Sequence, residues 1–308
     1  MGNLIIDQED VHEPVMVAEV VAGLNCQTDQ VYVDGTVGQG GHAETILTHS
    51  APAGQLVGLD RDPAALEVAA HRLQAFRSRF RLFHSCYTDL RDILRNCQIE
   101  QVAGIVLDLG LSTQQLKQSG RGFSFLREEI LDMRMDPKTP VPTAAEILNT
   151  YSEPDLTRLF LRLGEERWSR RIARRIVVAR RQTPINTTSQ LVELIRQAIP
   201  SKARRGRIHP ATRVFQALRI AVNQELEKLT AFIPLAVSLL APGGRLAIIA
   251  YHSLEDRIVK QQFLTLEKTG QLRRLTRKPI IPSPTEVNRN PQARSAKLRV
   301  GVKGGNSN

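Results

Sequence analysis

Residues 31–42, Val31-Tyr32-Val33-Asp34-Gly35-Thr36-Val37-Gly38-Gln39-Gly40-Gly41-His42, constrain the fold of this chain more than any other stretch. Three β-formers run into an acid and then into a loop too rich in glycine to be helix or strand. Ala43-Glu44-Thr45-Ile46-Leu47 then resumes at helical spacing. In such a strand–turn–helix unit the glycines let the backbone come close to a ligand at the strand's carboxyl end. The turn reads Asp34-x-Thr36-x-Gly38-x-Gly40 and not the G-x-G-x-x-G of a dinucleotide site, and Glu44 in the first helical turn would repel a pyrophosphate. A ligand without phosphates fits better, and S-adenosylmethionine, with its sulfonium and ammonium, is the leading one. Taken alone, the turn is equally compatible with a βα connection that holds nothing.

Two further strands strengthen the ligand reading. Gln55 to Asp60 ends in an acid about twenty residues beyond the glycine loop, where a doubly wound sheet places the carboxylate that accepts ribose hydroxyls. Asp62-Pro63 already supplies an N-cap and first-turn proline for a helix over Ala64 to Phe76, which leaves Asp60 available for a ligand. Arg79 to His84 reads as a third strand, with Tyr87 beyond it as a candidate to lie against adenine or simply to pack. Val102 to Gly110 is an apolar run that again carries an acid, Asp108. Asp34, Asp60 and Asp108 therefore stand at strand carboxyl ends, which line one crevice in an open α/β sheet, and the crevice prefers a cation.

From Ser112 to Arg207 no strand continues the sheet. Gly120-Arg121-Gly122-Phe123-Ser124-Phe125 is a glycine-hinged loop. Leu131-Asp132-Met133-Arg134-Met135-Asp136-Pro137 follows it, a candidate lid whose ions partly pair among themselves. Helices are expected over Pro154 to Leu163, over Glu165 to Arg181 with Trp168 buried, and over Leu191 to Ile199 behind a Thr187–Gln190 capping box. The second of these exposes Arg170, Arg171, Arg174, Arg175, Arg180 and Arg181, and Lys202-Ala203-Arg204-Arg205-Gly206-Arg207 is a basic connector. A basic face followed by a basic loop without interleaved acids reads as a surface that tracks phosphates.

Past the insert, His209 to Thr212 opens a long helix whose Phe215, Leu218, Val222 and Leu226 face the core and whose Arg213, Gln216 and Asn223 share another face. Arg245 to Ala250 is a strand, followed by Tyr251-His252-Ser253-Leu254-Glu255-Asp256-Arg257. Ser253 with Asp256 is a weak capping pair, which leaves His252 unexplained. The last residues of the run to Val300 have the pattern of an edge strand.

The net charge of +11 on 308 residues exceeds what an enzyme of small neutral metabolites needs. Nucleic acid is the leading partner class and an anionic membrane surface the second. Cys26, Cys86 and Cys97 show neither metal-ligand nor disulfide spacing, no apolar run is long enough for a bilayer, and Met1 to Asp10 lacks the pattern of a secretion signal. A cytoplasmic protein is expected, with no membrane association and no metal, since methyl transfer from a sulfonium requires none.

The segments VYVDGTVGQGGH, VLDLGLS, RGFSF, LDMRMDP, GEERWSRRIARRIV, HPATRVFQALRIAVNQEL, APGGRLAIIAYHSLEDRIVK and NPQARSAKLRV, in that order, resemble the RsmH (MraW) family over about His12 to Val300. The resemblance implies an S-adenosylmethionine-dependent methyltransferase acting on the exocyclic N4 of a cytosine in small-subunit (16S) ribosomal RNA. It also implies a class I, Rossmann-like α/β domain of doubly wound sheet, residues 1–112 and 208–308, interrupted by an all-helical RNA-binding insert with its lid loop, residues 113–207. By position, the family's cofactor contacts fall on Gly40, Gly41, His42, Asp60, Tyr87, Asp108 and Gln115. Tyr87 stands where phenylalanine is also common. Ser112-Thr113-Gln114-Gln115 replaces the usual Ser-Ser-Pro-Gln, so the loop carrying Gln115 loses a rigid proline.

A cytosine amino group is a poor nucleophile, so acceleration rests on holding nitrogen, methyl carbon and sulfur in line and on an acceptor for the amino protons. Asp108, His252 and Asp256 are the candidate acceptors. Arg121, Phe123, Arg134, Arg174, Arg175, Arg204, Arg205, Arg213 and Arg257 are the candidate RNA contacts, with Phe123 or Phe125 stacking on an unstacked base. A methyltransferase of another RNA site or a protein amine, and an RNA-binding module that keeps the cofactor as a structural ligand, remain alternatives, and a homodimer is compatible with the sequence.

Overall fold

The computed structural model describes residues 14–111, 115–116, 119–201, 204 and 209–304. Expectations on His12, Ser112, Thr113, Gln114, Arg205 and the connector residues Lys202, Ala203, Gly206 and Arg207 lie outside the described residues. By packing the chain divides into two compact units, Met1–Ser112 with Leu226–Asn308, and Thr113–Glu225.

The first unit is built on a seven-stranded sheet of β1 (Val31–Asp34), β2 (Gln55–Asp60), β3 (Phe80–His84), β4 (Val102–Asp108), β5 (Leu240–Ala250), β6 (Leu272–Arg274) and β7 (Lys297–Lys303). Their order is β3-β2-β1-β4-β5-β7-β6. The first five are parallel, and β7 runs antiparallel between β5 and β6. Alternate residues of the strands face opposite layers, as the two-residue period of a strand requires. Val33, Val57, Leu59, Ile105, Leu107, Leu246 and Ile248 join one core with Leu229, Phe232 and Ile233 of the helix Glu225–Leu239 and Phe263 of the helix Ser253–Lys268. Tyr32, Leu56, Val106, Ala247 and Ile249 join the other with Val20 and Leu24 of the helix Val17–Leu24 and Ile46 and Leu47 of the helix Gly41–His49. A sheet covered on both faces leaves only its strand ends open, and the order reverses between β1 and β4, where open α/β sheets bind their ligands.

The strand carrying Lys297 to Val300 is not at an edge. It sits between β5 and the short β6, which takes the edge position. Leu298, Arg299 and Val300 are all buried because both faces of the sheet are covered there: Leu298 and Val300 join the core with Val20 and Leu24, and Arg299 bonds Asp256 of the helix Ser253–Lys268.

The second unit holds helices Ala144–Thr150, Glu153–Gly164, Ser169–Ala179, Thr188–Ala198 and Thr212–Asn223. Thr187 and Gln190 form the expected capping box, the Thr187 side chain accepting from the Gln190 amide and Gln190 accepting from the amide of Thr187. The helix expected over Glu165 to Arg181 starts later, at Ser169, because Glu165 turns left-handed (φ 49°) and ends the preceding helix. Trp168 is consequently half-buried instead of buried, with the guanidinium groups of Arg167 and Arg171 at 5.2 and 5.5 Å from its ring. The insert also extends further than 207. The helix Thr212–Asn223 belongs with it, lying so close to Glu153–Gly164 that a Cβ on Gly164 would stand 2.4 Å from the Arg213 carbonyl oxygen. Left-handed Gln224 (φ 53°) ends that helix, so the single long helix expected through Leu226 is two. Among the described residues no helix is long and apolar enough to cross a membrane.

Candidate active site

Register brings the three strand-end acids of the first unit together. Asp34 pairs with Gly58 on one side and Val106 on the other, so Asp60 and Asp108 each lie two residues further along the neighbouring strands. Main-chain bonds extend the pairing past β1, from Gly35 N to the Val106 carbonyl (3.0 Å) and from Val37 N to the Leu59 carbonyl (2.8 Å). The glycine turn is therefore bonded to the sheet through both neighbours. Gly40, at φ 85°, caps the helix Gly41–His49 in a conformation that favours glycine, and Gly41 abuts the ring of Pro14.

Asp60 does more than offer a carboxylate to a ligand. Its Oδ2 accepts from Gly38 N and its Oδ1 from Asp62 N, both at 2.8 Å, so it ties the glycine turn to the start of the next helix. The Arg61 amide also bonds this carboxyl, and of the roughly four lone-pair sites of a carboxylate the remainder can accept a hydroxyl. Burial raises the Asp60 carboxyl above its ordinary range, and these amide bonds oppose the rise. Asp62 caps its helix as expected, accepting from Ala64 N. The charge of Glu44 is taken up by Arg72 at 2.7 Å, so its repulsion of a phosphate is weaker than the sequence suggested.

Asp34 is 1% exposed, and its Oδ1 accepts from Thr36 N at 3.1 Å. Its Oδ2 is buried with no hydrogen-bond partner among the described residues. Burial pushes the carboxyl up to about 7, against the pull of His42 and the Thr36 amide, and with a further push from Asp108 and Asp60. An acceptor oxygen held out of water without a donor is costly. A ligand bringing a cationic donor removes that cost, and the ammonium of S-adenosylmethionine is such a donor.

His42 is 6% exposed, and its Nε2 stands 3.5 Å from Asp108 Oδ2. Burial alone would lower the imidazole pKa, but the adjacent Asp108 carboxylate, with the charge of Asp34, raises it. Asp108 Oδ1 also accepts from Gly110 N at 3.3 Å, and the Asp108 backbone amide donates to Thr36 Oγ1 at 2.7 Å. The phenol of Tyr251 also lies beside Asp108, whose Oδ1 would stand 3.4 Å from a Cβ on Gly110. Burial first, and then Asp108, hold that phenol well above its ordinary pKa. Gly110 leaves room for the Tyr251 ring, whose Cε2 would lie 2.9 Å from any Cβ there. Tyr251 was missed as a site residue. The signal was present, since it ends a buried apolar strand just as the aspartates do. Tyr87 is 8% exposed and meets Phe232 edge-on at 4.8 Å, so at least part of its ring serves the core.

The turn after β5 departs from expectation. The cap of the helix Ser253–Lys268 is His252, not Ser253, and its box partner is Glu255, not Asp256. Glu255 accepts from the amides of Tyr251 (2.8 Å) and His252 (3.3 Å), while His252 Nε2 lies 3.1 Å from Glu255 Oε1. His252 thus acquires the structural explanation it lacked. Asp256 is bound to Arg299 Nε at 2.7 Å and stands 3.6 Å from Lys297 Nζ, both on β7. A carboxylate neutralised in this way anchors the sheet and is a poor proton acceptor, while His252 accepts from the Glu255 amide as the helix cap. Despite burial, Arg299 and Lys297 hold Asp256 below its ordinary pKa, so it contributes stability above the usual carboxylate range that is lost as pH falls through its lowered value. Asp256→Ala leaves the buried Arg299 uncompensated and is expected to cost about 3 kcal/mol of stability, read from urea unfolding at pH 7.

Within the second unit, several candidate RNA contacts are occupied internally. Arg134 makes two 2.7 Å bonds to Asp132, and Arg121 donates to the carbonyls of Arg134 (3.1 Å) and Met135 (2.6 Å). Fully buried Asn223 donates to the Met133 carbonyl at 2.8 Å and accepts from Met135 N at 2.9 Å, fixing the same loop. Phe123 is buried beneath Arg121, and Phe125 stacks on His209 at 4.6 Å and meets Phe215 edge-on, so neither ring is free to receive a base. The loop is a packed element whose ions hold its own shape. Arg174 is exposed, Arg175 is exposed and bonds Gln197, and exposed Arg213 donates to the Glu165 carbonyl at 3.0 Å. Arg204 donates to the Ile199 carbonyl at 2.9 Å. In the first unit Arg257 is exposed on the helix Ser253–Lys268. Gln115 is buried, its carbonyl accepting from the Ser119 hydroxyl at 2.7 Å.

A switch-point crevice that gathers three carboxylates, one of them with a buried oxygen that no donor among the described residues satisfies, fits an S-adenosylmethionine-dependent methyltransferase of Rossmann-like fold. The model of the MraW methylase family matches residues 9–303. The chain belongs to that family. It is 48% identical over 307 residues to the ribosomal RNA small subunit methyltransferase H of Geobacter sulfurreducens, covering 95% of this chain and 98% of the relative. It is 47% identical over 309 residues to the protein of the same name from Syntrophobacter fumaroxidans, covering 96% and 97%. Among solved structures, an rRNA methylase from Streptococcus thermophilus aligns over 96% of this chain and 99% of its own at 10% identity and a TM-score of 0.45.

Proposed function

We infer that the protein transfers the methyl group of S-adenosylmethionine to the exocyclic N4 of a cytosine in 16S ribosomal RNA. The observation that carries the reading is identity of nearly half over the whole length to relatives named for small-subunit ribosomal RNA methylation. When bound, the cofactor supplies an electrophilic methyl carbon on a positively charged sulfur. Asp34 would hold its ammonium and Asp60 its ribose hydroxyls, and Gly40, Gly41 and His42 would supply the turn beside it. Tyr87 and Gln115 carry the family's remaining contacts. Asp108 accepts from the target amino group and offsets the positive charge that develops on nitrogen, while His42 and Tyr251 orient its carboxylate. The nitrogen gains the methyl and gives up one proton, leaving S-adenosylhomocysteine and N4-methylcytosine.

The arginines of the helix Ser169–Ala179, Arg174 and Arg175 among them, support the RNA reading, since they are exposed with no acid in that helix. With Arg204, Arg205, Arg213 and Arg257 they would contact backbone phosphate and supply affinity without sequence choice. Nucleoside mass spectrometry tests the reading directly. Purified protein and cofactor added to unmodified small subunits are expected to yield N4-methylcytidine, and methylation confined to another nucleoside or to protein would contradict it.

A further inference from the structure

Tyr251 also lines a cleft that none of these roles uses. Its volume is about 380 Å³, within the range of small-molecule sites. Its inner wall is the junction of Tyr251, His252 and Ser253 between β5 and the next helix, and Ile281 and Val287 form an apolar flank. Arg294, Ser295 and Lys297, on the approach to β7, supply the polar rim.

Three properties narrow the occupant. Ile281 is 67% exposed, a large apolar side chain left in water beside an aromatic ring, which suits the face of a base. Arg294 is exposed and makes no hydrogen bond or ion pair with a described residue, whereas Lys297 already stands 3.6 Å from Asp256. A free guanidinium at the rim suits a phosphate. The third property is continuity, because the Tyr251 ring that lines the cleft also packs beside Asp108, the carboxylate assigned to the target amino group: a Cβ on Gly110 would stand 2.9 Å from Tyr251 Cε2 and 3.4 Å from Asp108 Oδ1. A base swung out of its stack brings its neighbours to within one nucleotide of that point.

We propose that this cleft seats the nucleotide adjacent to the target cytosine, its base against Tyr251 and Ile281 and its phosphate on Arg294. The assignment rests on the RNA substrate read above. Arg294→Glu and Ser295→Trp, both at exposed positions, test it with unmodified small subunits as substrate. Each is expected to raise KM for subunits about tenfold, with kcat and cofactor affinity unchanged, as for a contact made equally in ground and transition states. Photoreactive p-benzoylphenylalanine in place of Ile281 is expected to cross-link within two nucleotides of the methylated base. Wild-type KM in both variants, or a cross-link remote from that base, overturns the proposal. Wild-type protein that leaves subunits unmethylated overturns the substrate reading itself, and this assignment with it.

Discussion

Asp108→Asn is expected to lower kcat by about 10²- to 10³-fold while the protein stays folded, the magnitude typical of removing one preorganised group that faces developing charge. The substitution preserves shape. An asparagine oxygen still accepts from Gly110 N, and the backbone amide of residue 108 still donates to Thr36. What it removes is the negative charge beside His42 and Tyr251. Single-turnover methyl transfer to small subunits measures the chemical step, and calorimetry measures cofactor affinity separately. A loss confined to cofactor affinity, with the chemical step intact, would move Asp108 from the reacting nitrogen to the cofactor alone.

Asp34→Asn is expected to stabilise the ligand-free protein at neutral pH and to impair it as an enzyme. The folded carboxyl titrates near 7, against an ordinary value of 3.8. A raised acid pKa means that the folded state holds its proton more tightly than the unfolded state does. Below about pH 4 both states are protonated and burial of the carboxyl carries no ionic cost. Between about pH 4 and pH 7 the unfolded state ionises first, so stability falls as pH rises, and above pH 7 the full cost persists. Asparagine escapes it, for a gain of up to about 4 kcal/mol at pH 8 that vanishes near pH 4. Urea unfolding of both proteins across that range checks the sign. A variant less stable at pH 8 than wild type would show that Asp34 is already satisfied within the fold. A buried, unsatisfied carboxyl that a bound ligand relieves is a common exchange of stability for function.

Much of the first unit was legible in the sequence because its signals are local. Buried strands read as apolar runs, and acids at their ends share a rim by the geometry of a parallel sheet, which is how Asp34, Asp60 and Asp108 were found together. Asp62-Pro63 and Thr187–Gln190 announced helix starts through bonds spanning two or three residues. What escaped depends on partners distant in the chain. Asp256 looked catalytic until Arg299, forty-three positions away, claimed it. Arg121, Arg134, Phe123 and Phe125 looked like substrate contacts because composition does not reveal that a loop can spend its charges and rings on itself. The cap after β5 was misplaced by one residue because serine is the commoner capping residue, although Glu255 three positions after His252 carries the box. The end of the insert was hidden by a left-handed glutamine, Gln224, where a helix stop is usually marked by glycine or asparagine.

Titration calorimetry of S-adenosylmethionine into the wild-type protein, Asp34→Asn and Asp60→Asn tests most directly whether the crevice at the ends of β1, β2 and β4 holds the methyl donor. One site per chain is expected in the wild type, with affinity falling at least about tenfold in each variant, as for loss of a charge-assisted hydrogen bond. Wild-type affinity in both variants would contradict the account.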